Sequence, residues 1–284
     1  MRARSAVLFS WLIVTGTAAA TEIEGRFTIG EEAIEPRHGT ALQLRRGASE
    51  LTTTILLSEL PADAAAAVTA LDPLTALMNQ PGLRDANFIT LSVARNGTVT
   101  MNATFSDGMR QYVALSGDVS AEWTERSDTR LAGRVFTPAP IATRDSGSYS
   151  LDVRFDVSVV QRKGGTPLAS DGGEPGRVLV ALLEALDAGD FEAIRSHVNE
   201  ELAADFDASY NTPEENLESA RQRFSGALPK RLGELRGGID YGDEAIVELS
   251  GQVYEDMQGL FRVRLVQRDG RWVFDAGLMV GLLD

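Results

Sequence analysis

Apolar and polar residues alternate without a break from Ser148 to Val160 (SYSLDVRFDVSVV). Tyr149, Leu151, Val153, Phe155, Val157 and Val159 fall on one side, and Ser150, Asp152, Arg154, Asp156 and Ser158 on the other. A period of two over that length predicts a strand with one buried face. ANFITLSVA and TVTMNATF flank Asn96-Gly97, a pair suited to the positive φ angles of a tight hairpin turn. TALQLRR, LTTTILL, YVALSGDVS and TRLAGRVF read as further strands. ADAAAAVTALDPLTALMNQ differs: its alanines and its start at Pro61 predict one helix, or two short ones broken at Asp72-Pro73. Residues 21–160 therefore read as a mostly-β domain, an antiparallel sandwich or partly open barrel with a helical insert.

The period changes after Gly176. Val178, Leu179, Leu182, Leu183 and Leu186 follow helical spacing. Gly189 ends that helix and Asp190 caps the next, FEAIRSHV. Leu202 and Phe206 extend the apolar side. Thr212-Pro213-Glu214-Glu215 is a capping box with proline at the first helical position, opening a third helix marked by Leu217, Ala220, Arg221 and Phe224. Strands follow: LGELRGGIDYG, EAIVELSGQVYE, a loop DMQG, LFRVRLVQR, a tight turn at Asp269-Gly270, and RWVFDAG. Phe261, Val263 and Leu265 alternate with Arg262 and Arg264, which predicts one wet face. Between the two patterns, residues 161–175 (QRKGGTPLASDGGEP) have two glycine pairs, two prolines and no periodicity. They read as a flexible linker spanning about 20 Å, with 176–284 as a second, α+β domain.

Helices followed by an antiparallel meander, with ALDAGDFEAI in the first helical pair, GDEAIVELSG in the sheet and VQRDGRWVF in the last hairpin, resemble the nuclear transport factor 2-like superfamily. That is the cone fold shared with ketosteroid isomerase. The resemblance covers residues 176–284 and implies a bent sheet wrapped around helices, with a pocket at the open end. Such folds serve isomerases, dehydratases, ligand-binding subunits and non-catalytic adaptors, so the fold alone selects no function. The opening EGRFTIGEEAIEPRHGTALQL, followed by TILLSELP, is similar to a β domain of exported bacterial proteins and implies no particular chemistry.

MRARSAVLFSWLIVTGTAAA carries two arginines, a short apolar run from Ala6 to Val14 and a small-residue cleavage site at Ala18–Ala20. It reads as a secretory signal peptide, residues 1–20. No later stretch is apolar enough to enter a membrane after cleavage. Arginine over lysine, with abundant alanine and glycine, fits a GC-rich bacterial genome, so the expected compartment is periplasmic or secreted. With no cysteine, there is no lipid-modified cysteine, disulfide framework, zinc-thiolate site or thiol nucleophile. Net charge is −14. From Gly176 onward, 11 basic and 21 acidic residues give −10, whereas 14 and 18 over residues 21–163 give −4. Nucleic acid and anionic membrane are poor partners for such a surface.

The chain has two histidines, His38 in a turn and His197 in a helix of the tail. G-x-S-x-G, S-x-x-K, Walker and dinucleotide-binding motifs and calcium loops do not occur, so no cofactor and no metal are expected. If the tail is a cone-fold isomerase, it needs a base and an oxyanion donor in its pocket. His197, Asp205 and Asp275 are the candidate bases, with Asp256 a further carboxylate. Tyr210 at the cone rim, Tyr254, Tyr241 and Trp272 are the candidate donors, although Trp272 and Phe274 share a strand face that also suits core. Three functions follow as expectations. The first is an exported, non-enzymatic binding or scaffolding protein with a pocket for a small-molecule ligand or a protein partner. The second is a cone-fold isomerase or dehydratase acting on a small apolar substrate. The third is a structural protein, a homodimer through the cone sheet.

Overall fold

The computed structural model describes residues 22–46, 50–106, 110–115, 117–143, 147–162, 164–209 and 213–283. The segment 1–20, expected from the sequence to be a signal peptide, and Tyr210 and Thr212 lie outside them. The chain is mostly β, 52% strand, with few helices. Strands β1 (Glu22–Ile29), β2 (Glu32–Ile34), β3 (His38–Arg46) and β4 (Glu50–Ser58) precede short helices α1 (Ala64–Ala67) and α2 (Pro73–Met78). β5 (Phe88–Val93), β6 (Val99–Thr104), β7 (Gln111–Ala114), β8 (Ser120–Arg126), β9 (Arg130–Phe136), β10 (Ile141–Ala142) and β11 (Ser148–Gln161) complete a first sheet. Then come β12 (Thr166–Leu168), α3 (Gly173–Ala188), α4 (Phe191–Ser196), α5 (Glu200–Ser209) and α6 (Pro213–Phe224). β13 (Arg231–Asp240), β14 (Glu244–Tyr254), β15 (Met257–Arg268) and β16 (Arg271–Leu283) end the chain.

β11 organises the first sheet. It pairs antiparallel with β1 on one side and β9 on the other. Its last residues, Val159–Gln161, pair in parallel with β3, which carries the sheet onward in the order β3-β4-β5-β6-β7. The sheet thereby curls into a half-barrel around one core. Tyr149, Leu151, Val153, Phe155 and Val157 point inward with Phe27, Ile55, Ile89, Leu91 and Val135. Each such side chain contributes about 1.5–3 kcal/mol through burial. Tyr149 also donates its hydroxyl to the Val113 carbonyl at 2.6 Å, so its buried polar tip is satisfied.

The far side of β3 and β4 is covered as well. Leu42 and Leu56 form a second cluster with Leu77 of α2 and Leu83. Asp63 caps α1 by accepting from Ala66 N, and Asp72 caps α2 by accepting from Thr75 N, with Pro73 at the first helical position.

The second sheet runs β12-β13-β14-β15-β16. Its inner face (Leu249, Phe261, Val263, Leu265, Phe274) packs against Leu179 and Leu182 of α3, Ile194 of α4 and Phe224 of α6. Register shifts interrupt the β13–β14, β14–β15 and β15–β16 pairings, and bulges of this kind bend strands.

Three local expectations are revised. The described residues of 161–175 form a docked strap: β12 pairs with β13, and α3 opens at Gly173. Gly165 has φ +115°, and a Cβ there would stand 2.6 Å from Ile239 Cγ2 and 2.8 Å from Tyr241 Cε1. A three-residue edge strand containing Pro167 has too little pattern to be read, and an edge tolerates the missing N–H. The DMQG loop is shorter than expected, because Tyr254 pairs with Met257 across a two-residue turn. The face of β14 and β15 expected to be wet is partly dry: Glu248 is buried and Ile246 half-buried. Val68, Leu71 and Pro73 share with Ile239, Ile246, Glu248 and Arg262 a small cavity of about 80 Å³, so the α1–α2 layer lies over that face.

Candidate functional site

Two helix ends build an apolar opening in the second half. α3 finishes with Leu183, Leu186 and Asp187, and Gly189, in the left-handed region at φ +73°, stops it. Asp190 then caps α4 by accepting from Ala193 N. α6 finishes with Arg221 and Phe224, and the chain turns through Ser225–Lys230 into β13, with Leu228 N donating to the Phe224 carbonyl at 2.9 Å. Arg221 Nη2 reaches the Leu186 carbonyl at 3.5 Å, tying one helix end to the other.

Between the two ends lies a groove of about 440 Å³. Leu183, Phe224 and Leu228 form its buried floor, and Leu186 and Pro229 add apolar wall. Phe224 is held edge-on to Phe274, ring centroids 5.1 Å apart, so the floor is anchored to the sheet. Asp187, Arg221, Ser225 and Lys230 form the rim. Two cations and one carboxylate leave the rim net positive in a chain of net charge −14. Among the described residues neither Arg221 nor Lys230 makes an ion pair; the Lys230 ammonium lies 5.6 Å from the Tyr254 ring.

The residues singled out from the sequence sit elsewhere and do not converge. His197 ends α4, half-buried, and its carbonyl accepts from Phe274 N at 2.7 Å. Asn199 N donates to the Phe274 carbonyl, and its side chain caps Leu202 N while donating to Asp275 Oδ1 at 3.0 Å. The other Asp275 oxygen accepts from Arg264 Nε at 2.6 Å. Asp275 thus ties the start of α5 to the sheet. Asp205 pairs with Arg223 across α5 and α6 at 2.9 Å. Trp272 is buried in the core. Tyr254 is exposed at the end of β14, and Asp256 is exposed in the turn beyond it. Tyr241 lies under the Arg162 guanidinium, 3.6 Å from its ring centroid, while Arg162 makes a two-pronged bond to Glu244 at 3.0 and 2.8 Å. His38 is exposed at the start of β3. None of His197, Asp205 and Asp275 lines the groove.

The groove residues were visible only as helix markers. Leu183, Leu186 and Phe224 keep helical spacing and read as core. The one usable signal is Pro229-Lys230 just after Gly226, a turn that has to pass a helix end.

Burial lowers the His197 pKa by penalising the imidazolium. The folded state therefore favours neutral imidazole, and this contribution to stability is present above the ordinary value of about 6.5 and is lost as pH falls below it. His197→Gln is expected to remove that component. Denaturant titrations at pH 7.5 and pH 5 should show wild type losing more stability than the variant. Equal losses would mean that His197 does not titrate differently on unfolding.

In comparison with known proteins, no family model, no curated protein and no solved structure matches the chain.

Proposed function

We propose that this is an exported, two-domain binding protein whose C-terminal domain, 176–284, holds a small apolar molecule between the ends of α3 and α6. The observation that carries the reading is the groove of about 440 Å³ with a continuous floor of Leu183, Phe224 and Leu228. Its size falls within the range of small-molecule sites, about 300–1,000 Å³, and an apolar lining with a few polar rim groups is their usual chemistry. Of the candidate bases, Asp275 is held by Arg264 and Asn199 and Asp205 by Arg223, and none of the three, His197 included, lines the groove. Binding is therefore favoured over proton transfer.

The division into two domains, with the strap 161–175 between them, is part of the proposal. Separate cores on the two sheets support it. So do helices packed on a five-stranded, bulged antiparallel sheet, the arrangement expected of a nuclear transport factor 2-like cone. The first domain would act as a scaffold, joined through Arg162 and Glu244. Export rests on the pattern of residues 1–20.

Titration with the neutral fluorophore N-phenyl-1-naphthylamine tests the reading. One saturable site per chain is expected. Leu186→Trp, which fills the groove from its half-buried wall, should weaken binding by about tenfold or more, 1.4 kcal/mol per decade, with Tm unchanged. Binding that never saturates, or that ignores Leu186→Trp, would sink the proposal.

A further inference from the structure

We infer that the occupant of the groove is a free amphiphile with one anionic group, its hydrocarbon or aromatic body on the apolar floor and its head between Arg221 and Lys230. This rests on the binding reading above and adds a ligand class to it. Cations are the scarcer charge here, 27 basic against 41 acidic residues. Many of the arginines are matched with carboxylates, among them Arg130 with Asp156, Arg134 with Asp152, Arg162 with Glu244, Arg223 with Asp205, Arg262 with Glu248 and Arg264 with Asp275. Arg221 and Lys230 make no ion pair among the described residues, and what distinguishes them is that both stand on the rim of the same apolar groove. A guanidinium has five donor hydrogens, and among the described residues Arg221 makes one bond, the long one to the Leu186 carbonyl. Most of its donors remain for a ligand, and a carboxylate, sulfonate or phosphate is the acceptor they fit.

Two features oppose an anion. Asp187 is on the rim, and the C-terminal ends of α3 and α6 carry partial negative charge. Part of the charge at the helix ends is already met, because Asp190 N bonds to the Ala185 carbonyl, and Ala227 N and Leu228 N to that of Phe224. Asp187 supplies one charge against two. A cationic ligand would meet two like charges and a single partner, so the balance selects an anion. The amphiphile is free in solution, since a chain of net charge −14 is repelled by an anionic bilayer.

Two probes with the same anilinonaphthalene body separate the claims: 1-anilinonaphthalene-8-sulfonate carries a sulfonate, and N-phenyl-1-naphthylamine does not. Binding of each to the whole exported chain would be measured at low salt, in wild type and in Arg221→Gln/Lys230→Gln. Both substitutions are on exposed side chains, and circular dichroism checks that the fold is kept. The sulfonate probe should bind about tenfold tighter than the neutral one, as charged hydrogen bonds allow. The double variant should remove that advantage, with any loss for the neutral probe much smaller than the loss for the sulfonate probe. Equal affinities in wild type, or a sulfonate probe indifferent to the double substitution, would overturn the anionic class while the groove reading stands. If neither probe saturates, the groove reading itself falls, and this inference with it.

Discussion

Arg262→Met is expected to destabilise the protein by about 3–5 kcal/mol, the cost of leaving a buried charge without its partner, or roughly 10 °C in Tm. Arg262 Nε donates to Glu248 Oε1 at 3.1 Å, with the two side chains 12% and 7% exposed. Glu248 and Arg262 face each other across β14 and β15, on the side of the sheet away from α3, α4 and α6. What keeps water from them includes the α1–α2 layer, through Val68, Leu71 and Pro73. Removing the guanidinium leaves a buried carboxylate without that donor. Glu248→Leu/Arg262→Met removes both charges and should recover most of the loss, because well-packed apolar replacements of a buried pair are often neutral or stabilising. Calorimetry on the three proteins checks this. A single variant within about 0.5 kcal/mol of wild type, the range of ordinary surface changes, would mean that the pair is solvated and the α1–α2 layer does not cover this face.

Trp272→Ala should cost about 3–5 kcal/mol, as truncation of large buried aromatics does. Trp272 is 6% exposed and belongs to the cluster of Phe224, Phe261 and Phe274. It could also have been a pocket wall, and the two roles have opposite signatures. As core, its loss lowers the denaturant midpoint sharply while the folded fraction still binds N-phenyl-1-naphthylamine with wild-type affinity, since Trp272 does not line the groove. As pocket wall, its loss would weaken binding and cost little stability. Unfolding by urea, with probe titrations in the pre-transition region, separates the two.

Much of the half-barrel could be read directly. The alternation over Ser148–Val160 is β11, and Asn96-Gly97 joins β5 to β6. Gly189 and Asp190 punctuate α3 and α4 as their chemistry requires. Local signals sufficed there because each residue's role depends on its near neighbours. They failed where a role depends on a distant layer. Glu248 occupies a polar position in an alternating strand and reads as wet; its burial comes from a segment about 180 residues earlier. Asp275 has the chemistry of a base, yet Arg264 and Asn199 occupy both its oxygens. The groove is the extreme case. Its apolar residues keep helical spacing and look like core, and only the way two helix ends and the turn 225–230 meet leaves space between them.

Methyl-resolved NMR of the leucine-labelled protein, with N-phenyl-1-naphthylamine added to saturation, tests the central claim most directly. A ligand seated between α3 and α6 should shift the methyls of Leu183, Leu186 and Leu228 most, and leave those of Leu57, Leu91 and Leu151 in the half-barrel core unmoved. Shifts concentrated in the half-barrel, or none at saturation, would contradict it.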